Sequence, residues 1–79
     1  MNIKIKTKYK IGQRVWYTYE DLIIGAKIVS ITVQEGPEDI GGLFYCYNLH
    51  DDYDDYVEDM FEDELYETEK EAQKWIAEH

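Results

Sequence analysis

Apolar and polar positions alternate along two stretches of this sequence, with the period of β-strands that bury one face. The first stretch reads RVWYTY over residues 14–19, and it places Val15 and Tyr17 on one side. The second reads LFYCYNL over residues 43–49, with Tyr47 among the residues of one side. β-Branched and aromatic residues dominate both stretches, and pleated sheets favour these residue types. We therefore expect a strand in each stretch.

Three further stretches extend the predicted sheet. The run LIIGAKIVSITVQ, residues 22–34, is apolar at both odd and even positions, so its strand should be buried on both faces or bent by a bulge. Gly25 within it favours a bend or a close backbone approach. A loop rich in Gly and Pro follows at 35–42, and a short strand is expected at 56–57. The alternating start predicts a strand or an extended basic arm over residues 1–8.

The end of the chain carries a helix signal. Thr68 and Glu71 form a capping box, which satisfies free backbone amides at the start of a helix. Ala72, Trp75 and Ile76 follow at helical spacing on one face. Because so short a helix is marginal without tertiary packing, we expect Trp75 and Ile76 to be substantially buried.

The length of 79 residues indicates one small domain and is too short for an immunoglobulin-like sandwich. We expect a mainly β fold with one C-terminal α-helix, arranged as a small, strongly bent SH3-like β-barrel. In this scheme the strand or arm at 1–8 precedes barrel strands within 9–58. An acidic connection at 59–67 then leads to the helix at 68–79.

Charge is divided unevenly along the chain. The formal net charge is −10, and residues 1–34 hold six Lys or Arg against two acids, whereas residues 35–79 hold sixteen acids against two Lys. A field of this sign repels nucleic acid and anionic membranes and attracts basic protein surfaces. We expect a basic protein surface as the partner and disfavour direct nucleic-acid binding by the whole chain.

Several chemistries are absent from the sequence. Cys46 is the single cysteine, which excludes an internal disulfide and a cysteine-based zinc site. No apolar run has the length of a membrane span, and the start lacks the core of a signal peptide, so a cytoplasmic protein is expected.

The run HDDYDDYVEDMFEDE, residues 50–64, contains nine acids and suggests metal or carboxylate chemistry. An EF-hand loop starting at Asp52 would have Tyr56 at the fifth position and Val57 where the turn requires glycine. Paired-carboxylate catalysis requires two acids in distinct environments, which a crowded, exposed run does not provide. We therefore expect no metal site, no cofactor and no enzymatic activity.

The acidic run also carries aromatic residues and methionine, which the cores of protein interfaces enrich. We therefore expect a dedicated partner-binding surface, with a plain solvated surface as the alternative. Phe61, Leu65 and Val57 are expected to pack on the barrel instead. The predicted partner-binding residues are Asp51, Asp52, Tyr53, Asp54, Asp55, Tyr56, Glu58, Asp59, Glu62, Asp63 and Glu64.

The segments YKIGQRVWY, GAKIVSI and LYETEKEAQKWI, between residues 9 and 76, resemble small SH3-like barrel proteins encoded largely by phages, prophages and other mobile elements. The resemblance implies a bacterial host cell and an inhibitor that mimics nucleic acid, blocking a host nuclease or a CRISPR-type complex. The opening strand also looks like Tudor and KOW modules. That likeness implies an alternative function, binding of a basic protein tail or of nucleic acid.

Overall fold

The computed structural model describes residues 7–35 and 43–79 of the chain. Within them lie four antiparallel strands in one sheet of order β1-β2-β3-β4, followed by a short 3-10 turn and one C-terminal helix, α1. The mainly β class predicted from the sequence is confirmed, whereas most of the predicted segment 1–8 lies outside the described residues. The elements are β1 Arg14–Tyr19, β2 Leu22–Glu35, β3 Leu43–Asp51, β4 Tyr56–Met60, the 3-10 turn Glu62–Glu64 and α1 Glu69–Glu78.

A bulge bends β2, as one of the two sequence interpretations required. Ile28 pairs with Leu49 and Ser30 pairs with Asn48, so Val29 is an extra residue without a partner on β3. Before the bulge the even-numbered residues of β2 face the core, and after it the odd-numbered Ile31 continues on that face. One inserted residue therefore keeps both halves of an irregular apolar run on the same side.

A second bulge lies in β4, directly across β3 from the first. Tyr47 and Leu49 lie two positions apart on β3, but their partners on β4, Met60 and Val57, lie three positions apart. Asp59, within that extra stretch, has a φ of 59°. The side chain of Asn48, on β3, hydrogen-bonds to both bulged strands, β2 and β4. Its side-chain oxygen accepts from the Asp59 N–H at 3.1 Å, while its amide group donates to Ser30 and Thr32 at 2.9 Å each.

The core lies against one face of the sheet and is closed by the segment before β1. Tyr9 is almost fully buried, and its ring meets that of Tyr47 edge to face at 5.5 Å between centroids. The Tyr9 N–H donates to the Tyr47 hydroxyl at 3.1 Å, and the Tyr9 hydroxyl donates to the carbonyl of Leu65 at 3.3 Å. These bonds satisfy polar groups that burial would otherwise penalise.

The described strands do not close into a barrel, because β1 and β4 lie at opposite edges of the sheet. The chain nevertheless returns to the edge of β1 after the 3-10 turn. Tyr66 forms a two-bond antiparallel bridge with Trp16, at 2.8 and 2.9 Å. The outer edge of β1 is therefore covered at one point.

The C-terminal helix begins as predicted but docks differently. The Thr68 hydroxyl accepts from the Glu71 N–H at 3.1 Å, while the Glu71 carboxylate reaches the Glu67 N–H at 3.3 Å. Ala72 is fully buried, and the helix contacts β1 and β2. The expectation that Trp75 and Ile76 are both substantially buried is wrong for Trp75, which is 42% exposed and stacks on the ring of His79 at 4.4 Å, whereas Ile76 is half-buried. A small residue at the contact lets the helix approach closely and leaves the larger ring outside.

Packing after β4 also departs from the prediction at one residue. Leu65 is buried and Val57 is half-buried, as expected. Phe61 is 47% exposed and rests against Phe44, with 6.0 Å between ring centroids, so it does not enter the core.

Candidate functional site

The acidic run spans the last two residues of β3, the turn to β4, β4 itself and the following 3-10 turn. The Asp54 N–H donates to the carbonyl of Asp51 at 3.1 Å, and the Asp51 N–H donates to the carbonyl of Asp55 at 2.9 Å. Asp54 takes a φ of 64°, a conformation that Asp and Asn tolerate better than most residues. The aspartates are therefore suited to this turn irrespective of any partner.

Asp51 is a structural residue of the turn. It is only 5% exposed, and one carboxylate oxygen accepts from the N–H groups of Tyr53 and Asp55 at 2.9 Å each. The other oxygen accepts from the Tyr17 hydroxyl at 2.7 Å. Asp51 belongs to the predicted partner-binding set, but its carboxylate is buried and already bonded, so it is not among the exposed groups of that set.

The pKa values of this buried pair follow from the same contacts. Burial alone would raise the pKa of Asp51, but hydrogen bonds from Tyr17, Asp55 and Tyr53 outweigh it and hold that pKa below its usual value. Burial is also the largest cause of the raised pKa of Tyr17, followed by the hydrogen bond to Asp51. Asp51 is therefore charged and Tyr17 neutral at neutral pH.

Asp52 joins the turn to β1 through an ion pair. The guanidinium of Arg14 donates to its two carboxylate oxygens, at 3.0 and 2.5 Å, and this contact is the first cause of the lowered pKa of Asp52. Gly25 lies beneath the pair, and a Cβ there would overlap the guanidinium and come within 2.8 Å of the Asp52 carboxylate. The close approach predicted at Gly25 is thus explained by side chains that cross over it.

Other carboxylates of the run also have partners within the described residues. Asp54 contacts His50 at 2.6 Å, and the His50 ring stacks on Tyr56 at 4.7 Å between centroids. The remaining pairs are Asp59 with the Gln34 amide at 3.3 Å, Glu62 with the Tyr45 hydroxyl at 3.0 Å, and Glu64 with the Phe61 N–H at 3.0 Å. These acids contribute charge to the surface, but each also holds local structure.

Three carboxylates have no side-chain hydrogen bond or ion pair with any residue in the described ranges: Asp55, Glu58 and Asp63. Tyr53 and Tyr56 are close to Asp55 in the chain and are 69% and 71% exposed, whereas Asp63 lies beyond β4, in the 3-10 turn. These five residues are the part of the predicted set that is most available to a partner. We call them the β4 edge surface.

The β4 edge surface wraps around an edge strand rather than forming one flat face. Asp55 and Tyr53 border a groove on the core side of the sheet, whereas Tyr56 and Glu58 line a depression on the opposite side. From Asp55 to Glu58 the split follows the alternation of side chains along an extended backbone, while Tyr53 lies in the turn before it. A partner that contacts residues on both sides must therefore approach the strand from its edge.

The groove on the core side has a volume of about 330 Å³ and lies between the β1–β2 and β3–β4 turns. Its surface is largely apolar, with tyrosine rings and the exposed Asp55 at its borders and the buried Asp51 beneath it. The lining residues are Tyr17, Tyr19, Ile24, Asp51, Tyr53, Asp55 and Val57.

Other chemistry is limited in the part of the chain that the structure describes. Across residues 7–35 and 43–79 no three His, Cys, Asp or Glu side chains are grouped so that they could hold a metal ion. Cys46 is buried, and burial raises the pKa of its thiol, which disfavours the reactive thiolate. Among these residues no helix has the length and apolar character needed to cross a membrane.

Comparison of the chain with protein-family models, with curated proteins and with solved structures finds no match.

Proposed function

We propose that this protein is a non-enzymatic binding module that contacts a basic protein surface through its β4 edge surface. The observation that carries the proposal is the exposure of Asp55, Glu58 and Asp63, without partners among the described residues, together with two exposed tyrosines close to Asp55 in the chain. Exposed carboxylates attract a basic partner over long range, and tyrosine rings supply contact area that salt does not screen. A surface required only for solubility needs no such rings.

The sharpest form of the proposal is a mimic of nucleic acid that blocks a nuclease or a CRISPR-type complex of a bacterial host. Same-face residues on a strand repeat at about 6.6 Å, whereas duplex phosphates repeat at about 3.4 Å along each strand. The acids on both sides of β4 raise the density of negative charge beyond that of one face. This arrangement supports charge mimicry along an edge, not an atom-by-atom copy of a backbone.

We also propose that the fold belongs to the SH3-like class of small barrels. Three observations support this: the sequential strand order, the two bulges that meet at Asn48, and the return of Tyr66 to the edge of β1. Bulges are the usual means by which a small sheet bends toward closure.

The test is reversal of the three free carboxylates, with Asp55, Glu58 and Asp63 replaced by Lys. The matched control carries the same charge change near or on the helix: Glu67→Lys, Glu69→Lys and Glu78→Lys. Proteins retained from a lysate of the native host by the wild-type chain are identified. Their affinities for wild type and both variants are then measured over a range of salt concentrations, after circular dichroism has confirmed folding.

We expect the β4 variant to lose binding and the helix variant to retain most of it, with wild-type affinity falling as salt rises. The wild-type chain should also compete with nucleic acid for the captured protein. A fluorescent nucleic acid bound to that protein should be released when the wild-type chain is added. Wild-type affinity in the β4 variant would show that the edge is only a solvated surface.

A further inference from the structure

The walls of the groove between the β1–β2 and β3–β4 turns are two exposed tyrosines. Tyr19 ends β1 and is 62% exposed, while Tyr53 lies in the β3–β4 turn and is 69% exposed. They come from turns that are 34 residues apart in the chain, yet both line the same groove. Their rings therefore provide two aromatic surfaces that a side chain bound in this groove can contact.

The floor and the rim have different chemistry. Ile24 and Val57 give the floor an apolar surface, and Asp51 lies beneath it with three hydrogen-bond donors but no ion pair among the described residues. Asp55 stands at the rim, and its charge is felt at the Tyr17 hydroxyl, where it helps to raise the pKa. The surface of the groove is therefore apolar, and the electrostatic potential within it is negative.

A side chain that fits this combination has an aliphatic stem and a cationic head. The stem of arginine can cover Ile24 and Val57, and its planar guanidinium can stack on a tyrosine ring. The head then lies near Asp55 at the rim, so it does not lose water without compensation. The carboxylates of Asp51 and Asp55 would repel an anion. A purely apolar side chain would gain nothing from their negative potential.

We propose that this groove receives an arginine side chain from an extended basic segment of the protein partner. The inference rests on the proposed function, because it supplies the anchor for the partner that the β4 edge surface attracts. The edge supplies the field that brings the basic segment in, and the groove supplies the contact that selects one residue of it.

The experiment uses an acetylated, amidated Gly-Gly-Arg-Gly-Gly peptide and the ¹⁵N-labelled full chain, followed by NMR. We expect saturable shifts at the amides of Tyr17, Ile24 and Val57. The variant Tyr19→Ala/Tyr53→Ala should weaken peptide binding at least about fivefold, as loss of a cation–π contact implies. It leaves the Tyr53 N–H bond to Asp51 in place.

Two comparisons separate the groove from general attraction by acids. Asp55→Asn should weaken the peptide several times more than Glu58→Gln, because both remove one charge but only Asp55 borders the groove. Phe61→Ala removes a half-exposed ring outside the groove and should leave the affinity unchanged. A Gly-Gly-Glu-Gly-Gly peptide should produce no shifts at the three amides.

Equal effects of Asp55→Asn and Glu58→Gln, with no effect of the two tyrosine changes, would overturn the groove and leave the β4 edge surface standing. Absence of shifts at the three amides up to several millimolar arginine peptide would also overturn the groove. The lysine reversals at β4 test the edge surface by a separate measurement, so either proposal can fail alone.

Discussion

Asp51→Ala is the perturbation that best separates structure from function in the acidic run. The change removes a carboxylate that accepts three hydrogen bonds, from the N–H groups of Tyr53 and Asp55 and from the Tyr17 hydroxyl. If the run were only a solvated surface, losing one of its nine acids would have no cost. The observed contacts predict that this one is different.

The magnitude follows from the bonds that are lost. A hydrogen bond to a charged group contributes about 1.5–3 kcal/mol, and a buried donor left unpaired costs about 1–3 kcal/mol. The two amides can turn toward water, whereas the hydroxyl of Tyr17 lies in a side chain that is only 8% exposed. We therefore expect a loss of about 3–5 kcal/mol for Asp51→Ala. A domain of this length has about 4–12 kcal/mol in total, so the variant should lose a large share of its stability.

Urea denaturation followed by circular dichroism measures this loss. The control is Asp55→Ala, an exposed neighbour whose change should alter the free energy of unfolding by less than about 0.5 kcal/mol. Tyr17→Phe removes one donor and keeps the carboxylate, so it should cost less than Asp51→Ala. Equal stability of Asp51→Ala and Asp55→Ala would refute this account of the turn.

The pH dependence gives a second signature of the same residue. Because the pKa of Asp51 is held below its usual value in the folded state, the unfolded chain takes up the proton first as pH falls. The stabilisation is present above about pH 4 and is lost in more acidic solution. The stability difference between wild type and Asp51→Asn should therefore shrink as pH falls from 5 to 2.

Further tests concern packing, metal and alkaline pH. Ala72→Leu should destabilise the fold by about 1–3 kcal/mol, whereas Ala77→Leu on the exposed side of the helix should be nearly neutral in the same thermal melt. In a double-mutant cycle Gly25→Ala should cost less when Arg14 is already Ala, because the overlapping guanidinium is gone; full additivity would contradict the overlap. Millimolar calcium should leave the melting temperature nearly unchanged, and a large, saturable rise would reveal a calcium site. Burial, followed by the bond to Glu62, raises the pKa of Tyr45 to about 12. The unfolded chain therefore loses this proton first above about pH 10, and the stability advantage of wild type over Tyr45→Phe should shrink there.

The strands and the helix start could be predicted because each depends on a local signal. Alternation in β1 and β3 reports one buried face, and Thr68 with Glu71 marks the first turn of the helix whatever the helix packs against. The exposure of Trp75 could not be predicted in this way. Helical spacing defines a face that holds both Ala72 and Trp75, but contact with β1 and β2 determines which of them lies at the centre.

The candidate site could be predicted only as a segment. Nine acids in fifteen positions look alike in sequence, and nothing local shows that Asp51 faces Tyr17 while Asp55 faces solvent. That difference arises from long-range pairing of β1 with β2 and of β2 with β3, which brings Tyr17 beneath the turn. The fitting of Gly25 under the Arg14–Asp52 pair has the same origin.

The bulge at Val29 makes this gene more sensitive to the loss of a codon than to the change of one. Substituting Val29, which is 40% exposed, leaves the alternation on either side of it intact. Deleting it would join two halves of β2 whose inward residues are even-numbered before the bulge and odd-numbered after it. One half would then turn its apolar side chains to water, or the pairing with β3 would slip by one residue at Asn48. Among descendants of this sequence, position 29 should therefore vary freely in residue type while the length of β2 stays fixed.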